Sequence, residues 1–318
     1  MFYSVKDASR PGGIGWYRDG ENIAYYQNQM RKKSGGNYYS LQFEVSFKND
    51  DDEIYIAHCY PYTYSDCCTL LERLCSPQNK DRIRKTVLVK TLAGNNCEMV
   101  IITNFNSRPE LIAQRRAVIL TSRVHPGESN ASYMIQGTLE YLVGNEEGAR
   151  YLRDNFVFKI VPMLNPDGVI IGNYRCSLSA LDLNRQWINP SLKVCPELHA
   201  TKMMMRKTTE SRDILFYCDF HGHSRAKNLF MYGCSNVKSD RLKERIFPFL
   251  FSKGYENFRF ESCNFKVQKE REATARVVMW REFNLINSFT LETTFCGPTE
   301  GRLQDCHFSI HTLKECGR

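Results

Sequence analysis

From about residue 58 of this 318-residue chain, short apolar runs alternate with longer amphipathic ones, and no other feature constrains the fold as much. The apolar runs are Thr86 to Lys90, Glu98 to Thr103, Ala117 to Thr121, Phe156 to Pro162, Ile214 to Phe220 and Ser288 to Glu292. Each has the length of a strand. Between them, Ala131 to Val143 and His199 to Thr208 space their apolar residues as helices do. Strands alternating with helices predict the α/β class, a central sheet with helices on both faces. Ligands of such sheets gather outside the carboxyl ends of the strands. His125, Asn165, His221 and Glu292 all fall at or just beyond such ends.

Residues 1–57 read differently. They are polar and rich in tyrosine, and Tyr38 to Phe47 alternates like a half-buried strand. Asp50 to Glu53 reads as an exposed turn, after which Ile54 to Ala57 resumes a strand. So short a stretch leaves strand edges uncovered if it stands alone. It is expected to be the tail of a longer β unit, with residues 58–318 as the main domain. No internal repeat or low-complexity segment interrupts the chain.

Hydrophobic residues at 42% and charged residues at 25% are ordinary for a globular protein, and the length suffices for a large core. The net charge of +8 reads first as a mildly basic surface; the functional alternative is attraction of an acidic partner, either nucleic acid or a carboxylate-rich peptide. Arg31-Lys32-Lys33 and Arg82-Ile83-Arg84-Lys85 are too short to favour nucleic acid and read as solvated faces. The thirteen cysteines show no CxxC pair, and several, such as Cys218, sit in apolar runs where a free thiol acts as a small hydrophobe. With no signal-peptide pattern at Met1 to Asp7 and no apolar run long enough to span a bilayer, a reduced, intracellular protein is expected.

The chemistry concentrates in a few places. Arg123-Val124-His125-Pro126-Gly127-Glu128 follows the strand-like Ala117 to Leu120 and precedes a helical segment from Ser129. A loop in that position can aim His125 and Glu128 at one centre, and imidazole and carboxylate both suit Zn²⁺. A catalytic zinc needs a third protein ligand, and His221, at the end of another strand, is a candidate. His223 lies two residues on, shares a face with it in an extended segment, and is a rival. Asp219 is placed to support a ligating imidazole. Glu292 alternates with Phe289 and Leu291, so it faces away from them, and a carboxylate at a strand end near a metal can accept a proton from water. Asn184-Arg185 offers a directed donor and a planar fork suited to a terminal carboxylate. Arg175, nine residues earlier, can polarise a carbonyl oxygen.

Taken in order, these blocks resemble the M14 zinc carboxypeptidases, and specifically their cytosolic carboxypeptidase subfamily. The resemblance runs through Arg123 to Ser132, Phe158 to Val169, Asn173 to Leu178, Asp182 to Trp187, Phe220 to Arg225 and Thr274 to Val278. Ala57 to Tyr64 matches the entry to the catalytic domain. It implies a mixed central sheet preceded by a partial β-sandwich. It implies one Zn²⁺ per chain held by His125, Glu128 and His221, with Glu292 as general base and Arg175 on the oxyanion. Asn184 and Arg185 would hold the substrate's terminal carboxylate, and Arg276 is the candidate for a basic specificity pocket. The subfamily removes glutamate from protein C-termini and from side-chain polyglutamate branches, so the expected partners are acidic or glutamylated protein tails, tubulin foremost. No nucleic acid or membrane partner is expected. The expected place is the cytoplasm, at microtubules, centrioles or cilia.

Two departures and two rivals accompany that expectation. Only the last part of the β-sandwich is expected, and with 26 residues after Glu292 the family's further C-terminal helix is expected to be lost. The rivals are a catalytically silent module that binds acidic tails, and a zinc amidohydrolase of small N-acyl amino acids. An intact ligand set with Glu292 separates the enzyme from the silent module. The β segment ahead of the main domain favours a protein substrate.

Overall fold

Residues 1–235 and 242–318 are described by a computed structural model, in which the chain divides into two units, Met1–Pro61 and Tyr62–Arg318. In the first, β1 (Phe2–Ser4) runs into α1 (Val5–Ala8), where Ser4 Oγ caps the helix by accepting from the Asp7 amide at 3.0 Å. β2 (Glu21–Arg31) and β3 (Asn37–Glu44) form an antiparallel ribbon with Tyr25 opposite Leu41. β4 (Ile54–Ile56) returns to pair antiparallel with β1. Phe2 is buried, edge-on to Phe43 with ring centroids 5.9 Å apart. The half-buried strand expected over Tyr38 to Phe47 differs in two ways: it ends at Glu44, and Tyr38, Tyr39 and Leu41 are exposed. A two-stranded ribbon gives each of its side chains little beyond a cross-strand neighbour.

The second unit opens with α2 (Tyr64–Leu74), started by a capping box between Thr63 and Asp66. Then come β5 (Ile83–Lys90), β6 (Asn96–Ile102), α3 (Pro109–Gln114), β7 (Arg116–Ser122), α4 (Ser129–Val143), α5 (Glu147–Asn155) and β8 (Phe156–Val161). The chain continues through α6 (Pro166–Ile170), α7 (Pro196–Thr209), β9 (Ile214–His223), β10 (Leu229–Tyr232), α8 (Lys243–Gly254), α9 (Ala275–Glu282), β11 (Ser288–Thr294) and α10 (Ile310–Gly317). The sheet order is β10-β11-β9-β7-β8-β6-β5. The central β11, β9, β7 and β8 run parallel, and antiparallel partners flank them on both sides. This is the mixed α/β sheet that the sequence led us to expect.

Parallel strands need crossovers, and the crossovers bury both faces. β7 and β11 are accordingly buried almost throughout. One face packs Ala117, Ile119 and Tyr217 against Leu198 and Met205 of α7 and Val278 and Met279 of α9. α4 brings Met134, Ile135, Leu139 and Leu142, all fully buried, to the unit's interior. After β11 the chain forms α10, which starts at a Ser309 cap and lies on α4. The two helices meet backbone to backbone, since a Cβ on Gly137 would come within 1.9 Å of the Lys314 carbonyl. All thirteen cysteines are free thiols, and no helix of the described residues is long and apolar enough to cross a membrane.

Candidate active site

β7 ends at Ser122, and Arg123 turns the chain with a left-handed φ of +57°, unusual for a residue with a side chain. Its guanidinium holds the loop by donating to the Pro126 carbonyl and to Ser132 Oγ, both at 2.8 Å. The loop then presents His125 and, at the threshold of α4, Glu128. β9 delivers His221, and parallel pairing sets Glu292 of β11 level with it, so both side chains leave the same face of the sheet. Gly222 leaves room for this meeting, because a Cβ there would fall 2.1 Å from Asn130 Oδ1, and its amide donates to Glu128 at 3.0 Å.

His125 Nδ1 lies 2.8 Å from one Glu128 oxygen and His221 Nδ1 lies 2.9 Å from the other. Their ligating atoms fall within 4.8 Å of one another, which makes His125, Glu128 and His221 a group able to hold a metal ion. Each imidazole is fixed from behind through Nε2. His125 contacts Asp182 at 3.0 Å and His221 contacts Asp219 at 2.8 Å. Asp219 is itself anchored by Thr121 Oγ1 at 2.8 Å, which also meets the Tyr217 hydroxyl. A neutral imidazole that keeps its proton on the Nε2 facing its carboxylate would turn the Nδ1 lone pair toward the centre. The 3.3 Å contact between Asn184 Nδ2 and His221 Nε2 then joins two donors, so the Asn184 amide stays available to the cavity. His223 turns to the next loop instead, its Nδ1 accepting from the Ala226 amide at 2.8 Å.

The charges are tuned by this packing. Burial pushes the Glu128 carboxyl up, but His221 and His125 outweigh it and hold it well below the usual range. Burial also works against charge on both imidazoles, yet the carboxylates around them raise both. Glu292 differs: it accepts no hydrogen bond among the described residues, and burial pushes it up to about 7, with His221 opposing and Glu128 adding.

The eight residues given ligand, catalytic or substrate-binding roles in the sequence all line one cavity of about 470 Å³: His125, Glu128, Arg175, Asn184, Arg185, His221, Arg276 and Glu292. Asn165 does not line it; it caps α6 and donates to the Val124 carbonyl, bracing the His125 loop. Arg175 rests on Asp182 through Nε at 2.9 Å and Nη2 at 2.8 Å. Asn184 Oδ1 accepts from the Ala275 amide at 2.9 Å, tying its loop to the start of α9. Arg276 is buried, donates to the Gly233 carbonyl and contacts Cys234 Sγ, and has no carboxylate partner among the described residues. The sequence reading gave Asp182 no role, although it braces His125 and Arg175 at once. It also passed over Lys266 and Arg271, which line the same cavity.

Residues 73–297 match the family model described as zinc carboxypeptidase. The chain belongs to the zinc carboxypeptidase family. Among curated relatives, cytosolic carboxypeptidase 2 of Mus musculus is 46% identical over 320 residues, covering all of this chain and 37% of that protein. Cytosolic carboxypeptidase 3 of Mus musculus is 45% identical over 328 residues, again covering the whole chain and 32% of that protein. The chain thus spans about a third of the length of the curated relatives it matches. Among solved structures, a metallo-carboxypeptidase from Burkholderia cenocepacia superposes with a TM-score of 0.75 at 22% identity, covering 87% of this chain and 71% of its own. One from Pseudomonas aeruginosa, in complex with (2-guanidinoethylmercapto)succinic acid, gives 0.75 at 20% identity and covers 99% and 77%. At those identities the likeness speaks for the fold. The family is zinc-dependent, and the two imidazoles and one carboxylate gathered here are a donor set that suits zinc.

Proposed function

We propose that this chain is the catalytic part of a zinc metallocarboxypeptidase that removes glutamate from protein C-termini or from side-chain polyglutamate, with tubulin tails as the substrate. It would act in the cytoplasm, where microtubules, centrioles and cilia display such tails. Residues 58–318 would be the catalytic domain and residues 1–57 the end of a β-sandwich domain. The observation that carries the reading is the convergence on one cavity of a His-Glu-His group, of Glu292, which accepts no hydrogen bond among the described residues, and of buried Arg276, which has no carboxylate partner among them.

His125 and His221, through Nδ1, and Glu128, through its carboxylate, would hold the zinc ion. Once bound, the ion supplies Lewis acidity and a water acidic enough to ionise near neutral pH. Glu292 accepts a proton from the attacking water at its carboxylate and returns it to the leaving amine. Arg175 keeps Nη1 free of Asp182 and can donate to the oxyanion, an effect worth roughly 3–4 kcal/mol for a well-placed donor. Asn184 and Arg185 hold the terminal carboxylate. Arg276 selects the side chain, since a buried guanidinium without a counter-ion gains most from an anion. Zinc-loaded protein should release terminal glutamate at least about a hundredfold faster than leucine or lysine, as expected of a site that leaves a polar group unpaired with the wrong side chain. Arg276→Met should erase that preference. Equal release of all three residues by the parent chain would refute the reading.

A further inference from the structure

Two short basic runs of the sequence do not line the cavity: Arg31-Lys32-Lys33, which Ser34 follows, and Arg82-Ile83-Arg84-Lys85, which Thr86 follows. In each, cations crowd just ahead of a hydroxyl. The structure separates the two. Thr86 lies inside β5, opposite Met99 of β6, so its backbone is committed to the sheet. Its cations are committed too. Arg82 donates to the Val143 carbonyl at 2.9 Å, the Arg84 guanidinium sits 3.9 Å from the centre of the Phe105 ring, and Lys85 Nζ lies 4.0 Å from Glu98.

Ser34 stands instead at the tip of the ribbon formed by β2 and β3. The Gly35 amide donates to the Lys32 carbonyl at 3.1 Å, which makes Lys33 and Ser34 the two central residues of a tight turn. Gly35 and Gly36, with φ of +90° and +74°, then carry the chain back into β3. Every residue from Arg31 to Gly36 is exposed. The Ser34 hydroxyl makes no hydrogen bond among the described residues, and none of Arg31, Lys32 and Lys33 pairs with a carboxylate among them. Lys32 Nζ rests 5.5 Å from the centre of the Tyr38 ring, an exposed contact that an anion can displace.

We propose that Ser34 is a phosphorylation site for a serine/threonine kinase that reads basic residues ahead of its acceptor. An exposed tip enters an enzyme's cleft without opening sheet or core. Cations three, two and one residues before the hydroxyl offer an acidic cleft a matching charge pattern. In the transfer, Ser34 Oγ attacks the γ-phosphorus of MgATP. The new O–P bond forms as the bond to the departing ADP oxygen breaks, and the hydroxyl proton passes to the kinase's catalytic aspartate. The phosphoserine carries about 1.5–2 negative charges at pH 7 beside three cations able to pair with it. The tip thereby falls from about +3 to about +1, and the ribbon loses attraction for acidic surfaces.

The test incubates the folded chain with MgATP and the catalytic subunit of cyclic-AMP-dependent protein kinase, and locates the phosphate by peptide mass mapping. The parent chain should take up phosphate on Ser34, and Ser34→Ala should lose it. Arg31→Gln with Lys32→Gln leaves the acceptor in place and should slow its uptake at least about tenfold, as the loss of two charge contacts to an acidic cleft implies. Thr86 should stay unmodified in the folded chain. Absence of phosphate on Ser34, uptake there as fast in the double variant as in the parent chain, or uptake on Thr86 ahead of Ser34 would overturn the proposal.

Discussion

Strand β2 and strand β11 draw on similar mixtures of side chains. Glu21–Arg31 carries Ile23, Tyr25, Tyr26 and Met30 among polar residues, and Ser288–Thr294 carries Phe289 and Leu291 among Ser, Thr and Glu. Yet every residue of β11 is buried, while all of β2 except the intermediate Asn28 is exposed. β11 lies between β9 and β10, in a unit whose helices bring it cover, whereas β2 pairs, among the described residues, with β3 alone. Burial is what gives a polar residue of β11 chemical meaning. Ser288 donates to the Arg276 carbonyl at 2.8 Å, and Glu292, which finds no donor among the described residues, is pushed up to about 7 by burial. On β2 the same residue types meet water.

The sharpest way to break that contrast is to truncate one aromatic on each strand. Phe289→Ala in β11 should cost about 3–5 kcal/mol in denaturant unfolding of the second unit. Tyr25→Ala on the ribbon should stay within about 0.5 kcal/mol. Equal losses would mean that the ribbon buries its aromatics after all. A smaller effect separates buried from exposed carboxylates inside the second unit. Glu197, at the start of α7, is pushed up to about 7 by burial, with its own backbone amide opposing and Asp167 adding. Its folded value lies above its unfolded one, so its contribution is fully present below about pH 4.5 and is lost as the pH rises through about 7. Glu197→Gln should therefore gain about 1–3 kcal/mol over the parent chain at pH 8 and little at pH 4. Glu21→Gln, on the exposed β2, should stay within about 0.5 kcal/mol of the parent chain. Parallel stability curves for the parent chain and Glu197→Gln would remove the buried-carboxylate account.

The contrast also explains what the sequence made legible. Strands β7, β8, β9 and β11 stood out because strands covered on both faces become apolar runs, and the site residues stood out because they sit where those runs stop. β2 went unseen because an exposed ribbon needs no apolar alternation. α8 was missed with Pro248 inside it, and α10 because only eight residues form it. Spacing alone left His221 and His223 level, since an extended strand puts both on one face. The structure separates them through the loop amides that His223 accepts. The double use of Asp182 and the place of Lys266 and Arg271 in the cavity depend on segments far apart in sequence, and no local pattern records them.

The central claim is that His125, Glu128 and His221 form a zinc site served by Glu292. The most direct test measures zinc content together with glutamate release from a peptide ending in several glutamates, for the parent chain, His221→Ala and Glu292→Gln. The account predicts one zinc and release for the parent chain. His221→Ala should lose both, and Glu292→Gln should keep the zinc while turnover falls by about 10²–10⁴-fold. Folded parent chain without zinc, or a Glu292→Gln variant with full turnover, would contradict it.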